Sequence, residues 1–395
     1  MAHEFTYLDH SATTPTDPRV VEAMMPYWTT VFGNASSLHS AGKTAKAALQ
    51  GARDGIAAIL NCDPAEIIFT SGGTESDNLA LRGVAYGMRA RGRGRHIITT
   101  SIEHHAVLDV AKELADEGFD VTFLPVDRYG RVTAEQVAEA LRNDTILVSI
   151  IYANNEVGTI NPIAAIGTEL KKRRIPFHTD AVQAPGLLPL DVKVLNVDLL
   201  SLSAHKFYGP KGIGALYMRR ALALKPQMIG GGQQNHRRGG TEPVALIAGL
   251  AEALRLAEAE RATTAARLAP LRDQMIQGII DTIPEAELTG HPSERLAGHS
   301  SFTMRGLNGD SILLDLNEVG IGASGGSACT TGQQEPSHVL LAMGVHPDRL
   351  MGQMRFVLGK HSTPEEVNLL IYHLKSLVER HRAMMPEMSV MADGS

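Results

Sequence analysis

Several things are scarce in this chain, and each shortage excludes a class of protein. Its 395 residues include two cysteines, Cys62 and Cys329. That excludes a disulfide-stapled scaffold and fits a reducing compartment, so a cytoplasmic location is expected. No apolar run approaches the ~18 residues of a membrane-spanning helix. The stretch Met1 to His10 lacks the basic-then-apolar pattern of a secretory signal. Positive charge is not in excess: the formal net charge is −6, which gives no reason to expect a nucleic-acid or membrane partner. No internal repeat stands out. The remainder is ordinary for a globular chain, with 44% hydrophobic and 20% charged residues. A chain of this length buries a large core without staples.

Short β-rich runs alternate with helical stretches from about residue 65 to 220. Residues 67–70, 96–100, 146–151, 175–179, 197–202 and 214–218 read as strands. After 96–100, Val107, Ala111 and Leu114 fall on one helical face, and Thr133 to Gln136 forms a capping box. Strands alternating with helices give βαβ units and a mostly parallel sheet covered on both faces. An Ala/Arg/Glu-rich stretch, 243–275, reads as a helix linking two domains. The last third adds strands at 301–305 and near 311–316. It closes with a helix opened by Thr363-Pro364-Glu365-Glu366, with Val367, Leu370, Leu374 and Leu377 on its apolar face. Gly322 to Pro336 holds four glycines and few large side chains, and reads as a long loop.

In open parallel sheets ligands bind at the carboxyl ends of the strands. Here 67–70 is followed by Ser71-Gly72-Gly73-Thr74-Glu75-Ser76, a phosphate cup or a plain helix cap. It lacks the Gly-Lys-Ser/Thr ending of a Walker A loop. The next strand ends deliver Glu103-His104-His105, then Asn154-Asn155-Glu156, then Asp180 and Gln183, then Ser203-Ala204-His205-Lys206. Each alone can be a cap or a turn. Together they bring an anion cup, a carboxylate, a flat ring and a lysine to one rim. Pyridoxal 5'-phosphate asks for these four: donors for its phosphate, an acid at its ring nitrogen, a ring neighbour and an amine for its aldehyde. Zinc fits less well, because the histidines lack metal-ligand spacing, and no placed G-x-G-x-x-G supports a nicotinamide cofactor.

Over nearly its whole length the chain resembles the class V aminotransferases, and among them the cysteine desulfurases of the NifS/IscS type. The motifs are Tyr7 to Pro15, Gly33 to His39, Thr70 to Asn78, Glu103-His104, Asn154 to Gly158, His178 to Gln183, Ser203 to Lys206 and Ser327-Ala328-Cys329-Thr330. The resemblance implies fold type I, with a seven-stranded, mostly parallel sheet in a large α/β domain (16–258) and a smaller α+β domain (1–15 and 259–385), leaving 386–395 as a loose tail. It implies that Lys206 forms the Schiff base with pyridoxal phosphate and moves the α-proton. Asp180 would pair with the pyridine nitrogen, Gln183 with the phenolic oxygen, and His104 would stack on the ring and act in catalysis as a proton shuttle. Gly73, Thr74, Ser203 and His205 would hold the phosphate. Thr241 would reach the phosphate of the neighbouring subunit in a homodimer. Asn155 would serve the cofactor and, with Arg355, the carboxylate of L-cysteine, and Asn34 would also bind the substrate.

Cys329 separates a desulfurase from an ordinary aminotransferase. A cysteine in Gly-Gly-Ser-Ala-Cys-Thr-Thr-Gly has no packed apolar element around it, so it reads as a nucleophile, whereas Cys62 reads as structural. The resemblance implies that a Cys329 persulfide and L-alanine form, and that the sulfur passes to an iron–sulfur scaffold protein or another acceptor. No resident metal is expected, although Cys329 could bridge a cluster transiently with a scaffold. The alternative is a pyridoxal-phosphate C–S or C–Se lyase that makes no protein persulfide. Three places depart from the family pattern: Ala35, Gly325 and the run Gln233-Gln234-Asn235.

Overall fold

Seven strands form the central sheet of the computed structural model, which describes residues 5–326 and 335–384. Their order across the sheet is Ile67–Thr70, Gly214–Met218, Leu199–Ser203, Phe177–Asp180, Thr145–Ser149, His96–Thr100 and Asp120–Leu124. Only Gly214–Met218 runs against the others. It follows Leu199–Ser203 without a long crossover helix, which allows it to reverse direction.

Successive residues of these strands bury on opposite faces. Ile67, Phe69, Ile98, Val148 and Leu200 pack into one cluster. Ile68, Ile97, Leu147 and Leu199 pack into the other. This is the period of two expected of a sheet covered on both sides. The helices Gly73–Ala90 and His105–Asp116 cover the second face through Leu81, Val84, Val107 and Leu114.

The helix Val244–Thr282 is 39 residues long, about 58 Å at the usual rise. Its first half packs on the large sheet through Ile247, Leu250 and Leu254. Its second half enters a separate cluster through Leu268, Met275 and Ile279. There it meets Phe302 of His299–Met304, Phe356 of Gln353–Val357 and Leu370 and Leu374 of the C-terminal helix Pro364–Met384.

The strand expected near 311–316 is a helix, Gly309–Glu318. Asn308 caps it by accepting the Ser311 N–H. Ile312, Leu313 and Leu316 are buried while Leu314 is 69% exposed, which is a helical stripe and not a strand alternation. Among the described residues no helix is long and apolar enough to cross a membrane.

One short segment joins the two units. Thr6–Tyr7 pairs with Ile321–Gly322, Asp9 bridges to Val357, and Thr14 N–H donates to the His205 carbonyl. Residues 6–14 therefore form a strap from the smaller unit to the turn that carries Lys206.

Candidate active site

Lys206 follows directly on the strand Leu199–Ser203, in a single 3-10 turn, Ala204–Lys206. Its Nζ donates to the strap carbonyls of Ser11 (2.6 Å) and Ala12 (2.9 Å). Burial, with Arg355 nearby, lowers its pKa to about 8, while Asp180 and Asp9 oppose the shift. A lysine of that kind reaches its neutral, nucleophilic form far more readily than a solvated one. Gln183 Nε2 shares the Ser11 carbonyl at 2.9 Å, so Gln183 and Lys206 meet at one backbone oxygen.

Asp180 ends its strand and is 5% exposed. Its Oδ1 accepts the Val182 N–H at 2.9 Å. Burial raises its pKa, and His104 and Lys206 pull it back down. His104 caps the helix His105–Asp116, its Nδ1 accepting the Ala106 N–H at 3.1 Å. That bond requires an unprotonated Nδ1. The residue is exposed at its surface, yet protein packed around the ring lowers its pKa, against the pull of Asp180.

The helix Gly73–Ala90 begins without a side-chain cap, so its first N–H groups point outward from a positive helix end. A Cβ on Gly73 would lie 2.9 Å from Val182 Cγ2 and 3.5 Å from Ser203 Cβ, so the helix start sits tightly beside Ser203. Glu75 would repel an anion here, but Arg238 neutralises it with two bonds, at 2.9 and 3.2 Å. Thr74 and Thr241 are exposed. His205 Nδ1 lies 3.1 Å from Thr13 Oγ1, and burial together with Lys206 lowers the His205 pKa to about 4.

Arg355 is buried, and its NH2 pairs with Asp9 Oδ1 at 3.0 Å. Its NH1 donates to the Asn155 carbonyl at 3.1 Å, while Nε is buried with no partner among the described residues. Asn155 thus meets Arg355 through its backbone. Asp9 Oδ2 also accepts from Ser324 Oγ at 2.6 Å, at the edge of the Gly-rich stretch. Asn34 is exposed and its Oδ1 accepts the Ser36 N–H, which is a turn bond. Cys329 lies outside the described residues. Cys62 is half-buried, and burial pushes its thiol up to about 12, so it carries little thiolate. Among the described residues no cluster of three or more metal-ligating side chains occurs.

Two kinds of contributor are not singled out by the sequence: the carboxylate of Asp9 and the carbonyls of Ser11 and Ala12. The carbonyls carry no signal, because every residue has one.

A lysine on a strand-end turn, a buried aspartate on the neighbouring strand and an uncapped helix start thus gather at one rim of an α/β sheet with the architecture of fold type I. The chain belongs to the aminotransferase class-V family, whose sequence profile matches residues 6–370. It is 50% identical over 380 residues to the cysteine desulfurase IscS of Methanosarcina thermophila, covering 96% of this chain and 93% of that one. Among solved structures, a NifS-like protein superposes with a TM-score of 0.88 at 37% identity, over 96% of this chain and all of that chain. SspA in complex with cysteine superposes with a TM-score of 0.79, also at 37% identity, over 91% of this chain and 100% of that one.

Proposed function

We propose that the protein is a pyridoxal-phosphate-dependent cysteine desulfurase. In net terms, L-cysteine and the Cys329 thiol give L-alanine and a Cys329 persulfide: one C–S bond breaks, one S–S bond forms, and no external oxidant is needed. The observation that carries the reading is the meeting of Lys206, Gln183 and Asp180 beside the uncapped helix start, in a chain that is 50% identical to a cysteine desulfurase.

The residues fit the cofactor. The N–H groups of Gly73 and Thr74, with Ser203 and His205, suit its phosphate, and Arg238 removes the competing charge of Glu75. Asp180 suits the ring nitrogen, His104 the ring face, Gln183 the phenolic oxygen and Lys206 the aldehyde. When bound, pyridoxal phosphate supplies an electron sink for charge that develops on the substrate's α-carbon. The protein's own work is binding and proton management. Arg355, aligned by Asp9 and the Asn155 carbonyl, presents a fixed guanidinium that suits the substrate carboxylate. Lys206, with its pKa near 8, takes and returns a proton at its Nζ around neutral pH. The Cys329 thiolate is the sulfur acceptor.

A homodimer completes the reading, with Thr241 serving the partner's site. Met25, Trp28, Phe32, Leu38 and Ile229 are all more than half exposed, a supply of apolar surface for a two-fold interface. A free thiol nucleophile suits a reducing compartment such as the cytoplasm, with an iron–sulfur scaffold or another thiol as the onward acceptor.

The test is product analysis on the cofactor-loaded protein. L-Cysteine should give alanine and persulfide sulfur in equal amounts, with the extra sulfur on the peptide that contains Cys329. Cys329→Ser should still bind cofactor and L-cysteine but release no sulfur. Alanine formation at the wild-type rate in that variant would establish the lyase alternative instead.

A further inference from the structure

The strand that ends in Asp180 carries a buried polar cluster that the reaction scheme above does not use. His178 and Asp180 are two residues apart on Phe177–Asp180 and so point to the same face. In the strand register Ser149 lies opposite His178 and Ser201 opposite Asp180. Both imidazole nitrogens are occupied by these hydroxyls: Nδ1 with Ser149 Oγ at 2.8 Å and Nε2 with Ser201 Oγ at 2.9 Å. The helix Gly73–Ala90 covers the cluster and presents Asp77, which is 1% exposed. Asp77 Oδ1 lies 3.6 Å from His178 Nε2 and has no hydrogen-bond partner among the described residues.

The titratable groups that face Asp77 are His178, Asp180 and Glu103. None is a cation. Full burial holds His178 neutral, lowering its pKa to about 3. Glu103 accepts bonds from Thr100 Oγ1 and Ile151 N–H, and burial pushes its pKa to about 8. Burial and the charge of Asp180 raise Asp77 well above the carboxylate range, against the opposing effect of the Ser201 hydroxyl. Asp180 differs. It accepts the Val182 N–H, and His104 and Lys206 lower its pKa against burial. Two neighbouring carboxyls in a dry interior do not both ionise, and the proton settles on the more deeply buried one, which has no cation beside it.

We propose that Asp77 is a positioning residue: the neutral, proton-bearing member of a buried carboxyl pair, which leaves Asp180 as the single negative charge at the cofactor's ring nitrogen. This rests on the pyridoxal phosphate reading for its purpose, though not for the place of the proton. An ionised Asp77 would push the proton onto Asp180 and remove the charge the ring nitrogen needs.

Infrared difference spectra and cofactor binding test it together. Cofactor-free wild type should show the C=O absorption of a protonated acid that Asp77→Asn removes and Asp180→Asn retains. Asparagine copies a neutral carboxyl, so Asp77→Asn should keep cofactor affinity within about twofold. The pH midpoint of the bound cofactor's visible absorbance should also stay where it is. The proposal is overturned if Asp77→Asn removes no acid band, weakens cofactor binding about tenfold, or moves that midpoint by about one pH unit. Wild type that binds no pyridoxal phosphate would overturn the functional reading instead, and the infrared band would still decide where the proton sits.

Discussion

The rim of the large sheet and the strap of residues 6–14 meet at Lys206, yet they contribute to the site in opposite ways. The rim supplies side chains whose chemistry belongs to their residue type: Asp180, Gln183, His104 and Lys206. The strap supplies main chain. Ser11 and Ala12 hold Nζ through carbonyl oxygens, and Thr14 ties the strap to the His205 carbonyl. Its side chains act elsewhere: Asp9 on Arg355 and Ser324, Thr13 and Thr14 on His205. Rim roles at Lys206 are therefore fixed by identity, the strap's hold on Nζ by position, and substitution should separate the two.

The largest effect belongs to the rim. Lys206→Ala should lower desulfuration by about 10⁴-fold, the upper end of what one acid–base group contributes. Single-turnover alanine formation measures it. Activity within tenfold of wild type would mean that another residue, such as Lys211, does this work.

Next comes the strap side chain that pairs with Arg355. Asp9→Ala leaves the buried Arg355 without its carboxylate partner. Breaking one side of such a pair costs about 3 kcal/mol. Urea denaturation of the cofactor-free protein should show that loss, and an unchanged midpoint would reduce Asp9 to a surface contact.

The comparison sharpens further with pH. The Lys206 pKa is about 8 in the folded chain against an ordinary 10.5. Between those values the unfolded chain binds a proton that the folded chain has released, so this residue makes stability rise with pH. Below about pH 8 the full cost of burying the charge is present. Lys206→Met should thus stabilise the cofactor-free protein by about 1–3 kcal/mol at neutral pH, and the gain should shrink toward pH 10. A variant with the wild-type pH slope would show that Lys206 is not desolvated.

How much was legible in the sequence follows the same division. The strand ends, the capping box at Thr133 and the apolar face of the C-terminal helix could be read because each depends on residue type at a fixed spacing. The strand Asp120–Leu124 received no range of its own. It lies at the sheet edge with only Leu124 fully buried, so its hydrophobic signal is weak. The run Ile312-Leu313-Leu314 reads as strand in sequence because three adjacent apolar residues carry no period, and the Asn308 cap decides for helix. Asn34 belongs to a motif but turns its amide oxygen onto its own turn, and the identity of a residue does not reveal where its side chain points.

The smallest expected effect is the most direct test of the contrast. Ser11 belongs to one of the quoted motifs, so residue type alone would assign its hydroxyl a role. In the structure that hydroxyl is buried with no hydrogen-bond partner among the described residues, while the carbonyl of the same residue accepts from both Lys206 and Gln183. Removing a buried hydroxyl that makes no bond costs almost nothing, since no partner is left unpaired. The carbonyl survives any substitution that keeps the backbone in place. Ser11→Ala should therefore change stability by less than about 0.5 kcal/mol and leave the rate of alanine formation within about threefold of wild type. The pKa of Lys206, followed by pH-dependent acylation of the cofactor-free protein, should stay near 8. A tenfold loss of rate with an unchanged Lys206 pKa would give the Ser11 hydroxyl a contact with cofactor or substrate, and the strap would then work by side chain as the rim does.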